Sequence, residues 1–290
     1  ITSIQSLRKA GELLMDIVTK PKLSRRIWDY ALLTILAIVV LAPFLIGLWT
    51  SFLPTMQIAQ GNFLSTKVSF QNYIDAFTQT PILRYLGNSL VISTATMIAQ
   101  LIFCSMSAYA FVFLKFRGRK FLFGLFLATM MLPFEAEIIP NFQTVKAMGL
   151  LNSYSVMVIP FLTSAFGVFM LRQSFMQMPI ELKEAADIEG LGHFQFHWKM
   201  VLPYNRIPLM TLGAYSFLGA WNQYLWPMLT TFSNDFRPVQ NGLRQLQSEE
   251  TFNDWGMIQA TAAIVVIPTL IVLFIGQHYF KSGVNEGAGK

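Results

Sequence analysis

The sequence predicts an all-α membrane protein with six transmembrane helices and both termini in the cytoplasm. Three observations carry that expectation: a shortage of charge, a series of long apolar segments, and Lys and Arg gathered on alternate sides of them. Of 290 residues, 54% are hydrophobic and 12% are charged. A soluble domain carries about 25% charged residues. A soluble chain this apolar would present large adhesive patches to water, so lipid is the solvent that the composition fits.

The elements follow in order. Residues 1–29 are read as a cytoplasmic amino-terminal segment without the basic-then-apolar order of a signal peptide. Ile4, Leu7, Leu14, Ile17 and Val18 are spaced for a short amphipathic helix on the membrane surface, with a polar tail as the equal alternative. A helix needs about 20 mostly apolar residues to cross the hydrocarbon core. Segments 30–52, 90–114, 121–139, 156–171, 207–229 and 257–280 qualify, and they define a transmembrane domain over residues 30–280. They are apolar all round, unlike the striped helices of a soluble bundle. The third contains Glu135 and Glu137; either these are intramembrane acids, which would mark function, or the span ends near Phe134. Pro43, Pro133, Pro160, Pro208, Pro227 and Pro268 fall in the spans and are expected to kink them.

Orientation follows from the preference of Lys and Arg for the cytoplasmic side. With the amino terminus inside, Arg8, Lys9, Lys20, Lys22, Arg25 and Arg26 are cytoplasmic. So are Lys115, Arg117, Arg119 and Lys120, then Arg172, Lys183, Lys199 and Arg206, and finally Lys281 and Lys290. Only Lys67, Arg84, Lys146, Arg237 and Arg244 fall outside. Residues 281–290 form a cytoplasmic tail, and residues 173–205 lie in the cytoplasm.

Several function classes are disfavoured. The net charge of +6 is scattered between apolar runs and not gathered on one face, so a nucleic-acid partner is not expected. Cys104 is the single cysteine, so neither an internal disulfide nor a cysteine zinc cluster can form. His193 and His197 are four apart but have no third ligand nearby, so no metal site is expected. No nucleophile–base pair stands in a span, as an intramembrane enzyme would need. A GxxxxGK[ST] phosphate loop is absent. The chain therefore binds no ATP and no other cofactor of its own.

The segment 179–203 is the most informative. Pro179 suits the start of a short helix, Glu181 favours its amino end, and Gly190 suits its carboxyl cap. Glu181, Glu184, Asp187 and Glu189 with one Lys183 give it a local charge of −3. Ala185 and Ala186 offer a smooth patch to an approaching surface. A second short element places Phe194, Trp198 and Val201 at helical spacing, and Pro203 ends it. Such a pair suits a knob docking in a basic groove of a partner, although a solvated linker has a similar composition.

Glu184-Ala185-Ala186, then Gly190, then Leu202-Pro203 resembles the EAA loop of ATP-binding-cassette (ABC) importer permeases. Glu189, Leu191 and Met200 are mild departures from that pattern. Asn88-Ser89-Leu90, the run 221–227 and, more loosely, the glycine-rich tail are similar to the carbohydrate-uptake branch, of maltose or glycerol-3-phosphate type. The resemblance covers nearly the whole chain and implies a bacterial inner-membrane permease subunit of an ATP-driven importer for a sugar, oligosaccharide or glycerol-phosphate-type solute. It implies a second homologous permease, two ABC ATPases carrying ATP-Mg, and an extracytoplasmic solute-binding protein as partners, besides membrane lipid. Glu184, Ala185, Ala186, Asp187, Glu189, Gly190 and Pro203 would then couple to the ATPase.

A candidate solute path follows in the fifth span. Trp221 lies about 21 Å along the helix from Ile207, which puts it with Asn222, Gln223, Tyr224 and Trp226 in the outer half of the membrane. Aromatic faces with amides can hold a sugar ring, and an interfacial aromatic belt is the alternative. No Lys or Arg lies deep in a span, which favours a neutral saccharide. The rival class is a secondary transporter working without an ATPase. It would call for inverted repeats and buried midplane charges, and neither is visible.

Overall fold

The structure, a computed structural model, describes residues 23–65, 67–246 and 254–287. The predicted surface helix in residues 4–18 lies outside them, as do the last three residues of the tail. All regular structure among the described residues is helical. The chain divides into two units, residues 1–50 and 51–290.

The first unit contributes α1, Leu23–Thr50, with Pro43 inside it. Its segment Ile27–Thr50 is long and apolar enough to cross a membrane, and almost every side chain is exposed. Leu, Ile and Val dominate every side of this helix, so water is a poor solvent for it.

In the second unit, α2 (Thr55–Ala59) and α3 (Gln71–Gln79) precede α4, Ile82–Phe113, the longest candidate membrane span among the described residues. Its 32 residues extend about 48 Å, and it begins eight residues before the predicted start of span two. Arg84 and Asn88 hide that beginning from a hydropathy reading. Then come α5 (Arg119–Ala128) and α6 (Phe134–Ala147), joined through a 3-10 turn at Thr129–Met131. After them lie α7 (Tyr154–Val158), a 3-10 turn at Ile159–Phe161, and α8 (Ala165–Phe175).

Predicted spans three and four are therefore bent pairs. The first bends by 102° and the second by 44°. Pro133 explains the sharper bend: a residue before proline avoids the helical region, and Leu132 is extended at φ −84°, ψ 121°. Glu135 and Glu137 then fall in the first turn of α6, beyond the bend, where negative charge suits the helix dipole. In the fourth span Pro160 sits in the 3-10 turn, and Ser164 restarts the helix by accepting a bond from the Gly167 N–H at 3.0 Å.

The fifth predicted span, 207–229, is not one helix. It is α12, Arg206–Trp221, then a break at Asn222–Tyr224, then α13, Leu225–Thr230. Pro227 cannot donate to the Gln223 carbonyl, and its ring would crowd it, so a continuous helix fails there. The 16 residues of α12 span about 24 Å, less than the roughly 30 Å hydrocarbon core. Next comes α14, Val239–Gln245, and α15, Trp255–Gly287, closes the chain. The helix α15 contains Pro268 and carries a span at Trp255–Gly276. Of the six prolines expected to kink spans, only Pro43 and Pro268 lie inside helices; the others mark starts or breaks.

Packing centres on α4, which lies against α12 and α8, while α12 also packs on α15. At one crossing a Cβ on Gly167 would come within 2.9 Å of both Cys104 Sγ and Leu212 Cδ1, so only glycine permits the approach. Cys104 is fully buried there and unpaired, as its apolar surroundings imply. A buried polar seam of Ser89, Ser93, Thr96, Gln100 and Ser105 runs along α4. Gln100 donates to the Phe161 carbonyl at 2.9 Å and accepts from Ser216 at 2.6 Å, tying three spans together.

Candidate functional site

Two regions carry the candidate site residues. The first is the loop after α8. It holds α9, Ile180–Ile188, and α10, His193–Phe196, followed by a π-turn at His197–Val201 and α11, Leu202–Tyr204. Pro179 caps α9, and Glu181 lies in its first turn. Gly190 adopts φ +71°, a conformation that glycine reaches without strain. The Gly190 N–H bonds to the Asp187 carbonyl at 3.1 Å, and the Leu191 N–H to that of Ala186 at 2.9 Å. This is the Schellman pairing that ends a helix on a left-handed residue. The local chemistry of the sequence thus builds the predicted helix with its predicted stop.

The two faces of α9 differ. Ala186 is fully buried and packs into the cluster of Cys104, Tyr109, Leu171, Phe175, Phe196 and Val201. Glu184, Ala185, Asp187, Glu189 and Gly190 are exposed, and Ile188 is 88% exposed. The smooth patch expected of both alanines is therefore Ala185 alone, because a helix turns Ala186 about 100° away. Lys183 pairs with Asp187 one turn on and lies over the Phe196 ring at 5.4 Å. Phe194 and Trp198 contact each other on the outside, whereas Val201, grouped with them on spacing, points into the core. The π-turn, which adds a residue to the repeat, is what separates them. Pro203 is exposed in α11.

Side chains that the sequence reading passed over hold this loop to the bundle. The Tyr109 hydroxyl and His193 Nδ1 share a hydrogen bond at 2.9 Å, and Ser105 Oγ lies 3.4 Å from His197 Nε2. Phe113 meets Phe196 edge-on at 5.3 Å. Ser174 donates to Asn205 at 2.5 Å, and Asn205 donates to the Val201 carbonyl at 2.8 Å. Both histidines thus meet α4, and among the described residues no group of three or more His, Cys, Asp or Glu side chains comes together. Burial lowers the pKa of His197 below its ordinary 6.5, so the ring is neutral at neutral pH.

The second region is the break after α12. Trp221 is fully buried and stacks on Phe217 at 5.8 Å. Trp226 is also fully buried; its Nε1 donates to the Val156 carbonyl at 2.9 Å, and its ring meets Phe134 and Phe161 edge-on. Asn222 is exposed, and Gln223 and Tyr224 are half-buried. The five candidate path residues do not share one face. The tryptophans brace the break from within, and the amides and Tyr224 remain at its surface. Two residues not anticipated from sequence join them from α14: Gln240 donates to Asn222 at 3.4 Å, and Asn241 donates to the Tyr224 carbonyl at 3.1 Å. Their approach depends on tertiary folding, and no local signal announces it. A Cβ on Gly242 would lie 2.1 Å from Tyr85, so α14 sits close against α4. Arg84 pairs with Asp235, and Asn88 donates to the Arg237 carbonyl, which anchors the preceding loop.

Residues 100–286 match the family of binding-protein-dependent transport system inner membrane components, and the chain belongs to it. It is a multi-pass inner-membrane permease subunit, not an enzyme. Among its relatives is the sn-glycerol-3-phosphate transport system permease protein UgpE of Brucella abortus, 33% identical over 204 residues, 70% of this chain and 72% of that one. UgpE of Yersinia pestis is 35% identical over 208 residues, 71% and 74% of the two chains. A chain of a crystallised bacterial ABC transporter involved in import of the acidic polysaccharide alginate superposes with a TM-score of 0.81. That match is at 25% identity and covers 89% of this chain and 98% of that one. A second alginate transporter structure, in complex with an alginate pentasaccharide-bound periplasmic protein, shares the fold with a TM-score of 0.64 at 13% identity, covering 92% and 95%.

Proposed function

We propose that this chain is one of two related permease subunits of an ATP-driven importer for a sugar, oligosaccharide or glycerol-phosphate-type solute. In this reading six spans place both termini in the cytoplasm, with α12 and α13 together serving as the fifth. Two ABC ATPases holding ATP-Mg grip α9, and an extracytoplasmic binding protein delivers the solute. The observation that carries the reading is the asymmetry of α9. Its Ala186 side is locked to the core, so force on the helix passes to α4 and α8, while its Glu184, Ala185 and Ile188 side is left uncovered. An exposed isoleucine beside three acids is a surface made for a partner. ATP shifts the importer between inward- and outward-open arrangements only by binding one of them better.

The solute would pass the break at Asn222–Tyr224, with Asn222, Gln223, Tyr224 and Gln240 offering hydroxyl partners. The neutral-saccharide preference drawn from the cation-poor spans is weakened by relatives named for glycerol 3-phosphate and for an acidic polysaccharide. A secondary transporter remains the rival, and it gives the asymmetric α9 no task. Glu184→Lys is expected to lower ATPase co-purification at least roughly tenfold, a loss of about 1.4 kcal/mol that a like-charge mismatch exceeds, while thermal unfolding of the permease is unchanged. ATPase recovery at the wild-type level would count against the coupling role.

A further inference from the structure

The turn between α4 and α5 has no part in the account so far. It carries Lys115, Arg117, Arg119 and Lys120 and no acid. Leu114 is extended and Gly118 adopts φ +81°, which lets the chain reverse between the two helices. An open groove of about 730 Å³ lies at the reversal, lined by Phe113, Phe116 and Phe121 and by Lys115, Arg119 and Lys120. Arg119 is half-buried and donates to the Val112 and Leu114 carbonyls at 3.2 and 3.1 Å, which fixes the turn. Lys115, Arg117 and Lys120 are exposed, and among the described residues no carboxylate forms an ion pair with them. Phe121 is 73% exposed and Phe116 40%.

The position of the groove matters as much as its lining. The Tyr109–His193 bond and the Phe113–Phe196 contact put it at the coupling-loop end of the bundle. From there α4 and α5 both lead into apolar segments. Unneutralised cations beside exposed aromatic rings, where two apolar helices emerge, match one kind of molecule. We propose that this groove binds the headgroup of an anionic phospholipid of the adjacent leaflet. Its phosphate would lie between Lys115 and Lys120, with Arg117 exposed on the same turn, and its acyl chains along Phe116 and Phe121. Loop cations alone would follow from topology. Aromatic rings at the point where two apolar helices begin favour a ligand with a charged head and an apolar tail, and lipid supplies both. This inference rests on the membrane reading of the chain and on neither its solute nor its ATPase.

The test is native mass spectrometry of the full chain, with its co-purifying subunits, released from mixed phosphatidylglycerol and phosphatidylcholine bilayers. From an equimolar bilayer the unsubstituted protein is expected to retain phosphatidylglycerol at least several-fold over phosphatidylcholine, a comparison that needs no variant to fold, and equal retention of the two lipids would overturn the proposal. The triple variant K115Q/R117Q/K120Q should weaken retention at least roughly tenfold, since each juxtamembrane cation contributes on the order of 1 kcal/mol. Lys67→Gln with Lys146→Gln, at the other end of the bundle, should not. Equal retention by the triple variant would overturn the proposal. So would displacement of the adduct by millimolar inorganic phosphate, which would make this a free-anion site. So would loss of the ATPase from the triple variant with lipid retention intact, which would make it a protein interface.

Discussion

At the end of the bundle that carries α9 and α10, Ile188 and Phe194 stand in the open, while at the far end of α12 Trp221 and Trp226 are wholly enclosed. Both pairs are large and apolar, and each lies beside a glycine or amide that interrupts a helix. The difference is what they brace. Trp221 and Trp226 support a break in the chain's own backbone, where a vacancy would let the freed carbonyls collapse. Ile188 and Phe194 stay largely exposed, Phe194 meeting only the Trp198 ring among the described aromatic contacts, while their neighbours Ala186 and Phe196 are buried on the other face. Apolar surface left uncovered on a rigid support is a docking surface, and apolar surface turned inward at a break is scaffold.

The comparison can be broken most severely at the α14 end. Gly242→Val must displace Tyr85, whose ring lies 2.1 Å from the added Cβ, at a cost of roughly 3 kcal/mol, the upper end for overpacking. Thermal unfolding in detergent should fall by several degrees, while ATPase binding through α9 persists in whatever protein folds. The two tryptophans offer a finer test. Trp226→Phe removes the bond to the Val156 carbonyl and should cost about 1–2 kcal/mol more than the ring packing alone. In Trp221→Phe there is no such loss, because its buried Nε1 has no partner among the described residues. Equal destabilisation of the two variants would show that the Trp226 bond contributes nothing.

The smallest expected effect is at the loop's root. His197 has a folded-state pKa below its ordinary 6.5, so the unfolded loop binds protons more readily. Stability contributed by neutral His197 is complete above about pH 6.5 and declines as pH falls below it. Amide protection across residues 193–201 should therefore drop on acidification below that value and stay level above it. Replacing His197 with Gln should flatten the response, which would otherwise belong to another group.

Much of this was legible in the sequence, and the reasons are local. Pro179, Glu181 and Gly190 act through backbone geometry and the helix dipole, so the helix and its end could be read without knowing what it packs on. The spans were legible wherever apolar residues run unbroken, as in α1, α4 and α15. Direction was not legible. Spacing alone could not say that Ala186 faces in and Ala185 out, since that depends on where α8 and α4 lie. The break before Pro227 was hidden because hydropathy is averaged over a window and a proline in a membrane span commonly only kinks it. The roles of Tyr109, His193, His197 and Gln240 arise from partners far away in sequence.

The account rests on α9 being held from within and gripped from without. Ala185→Cys and Ala186→Cys, each in a Cys104→Ser background, differ by one position and by complete burial. In the assembled transporter a thiol cross-linker is expected to join Cys at 185 to the ATPase subunit, with an ATP-dependent yield, and to leave position 186 unreacted. If neither position yields an ATPase adduct, or if 185 reacts only with reagents applied from outside the cell, α9 is not the coupling element.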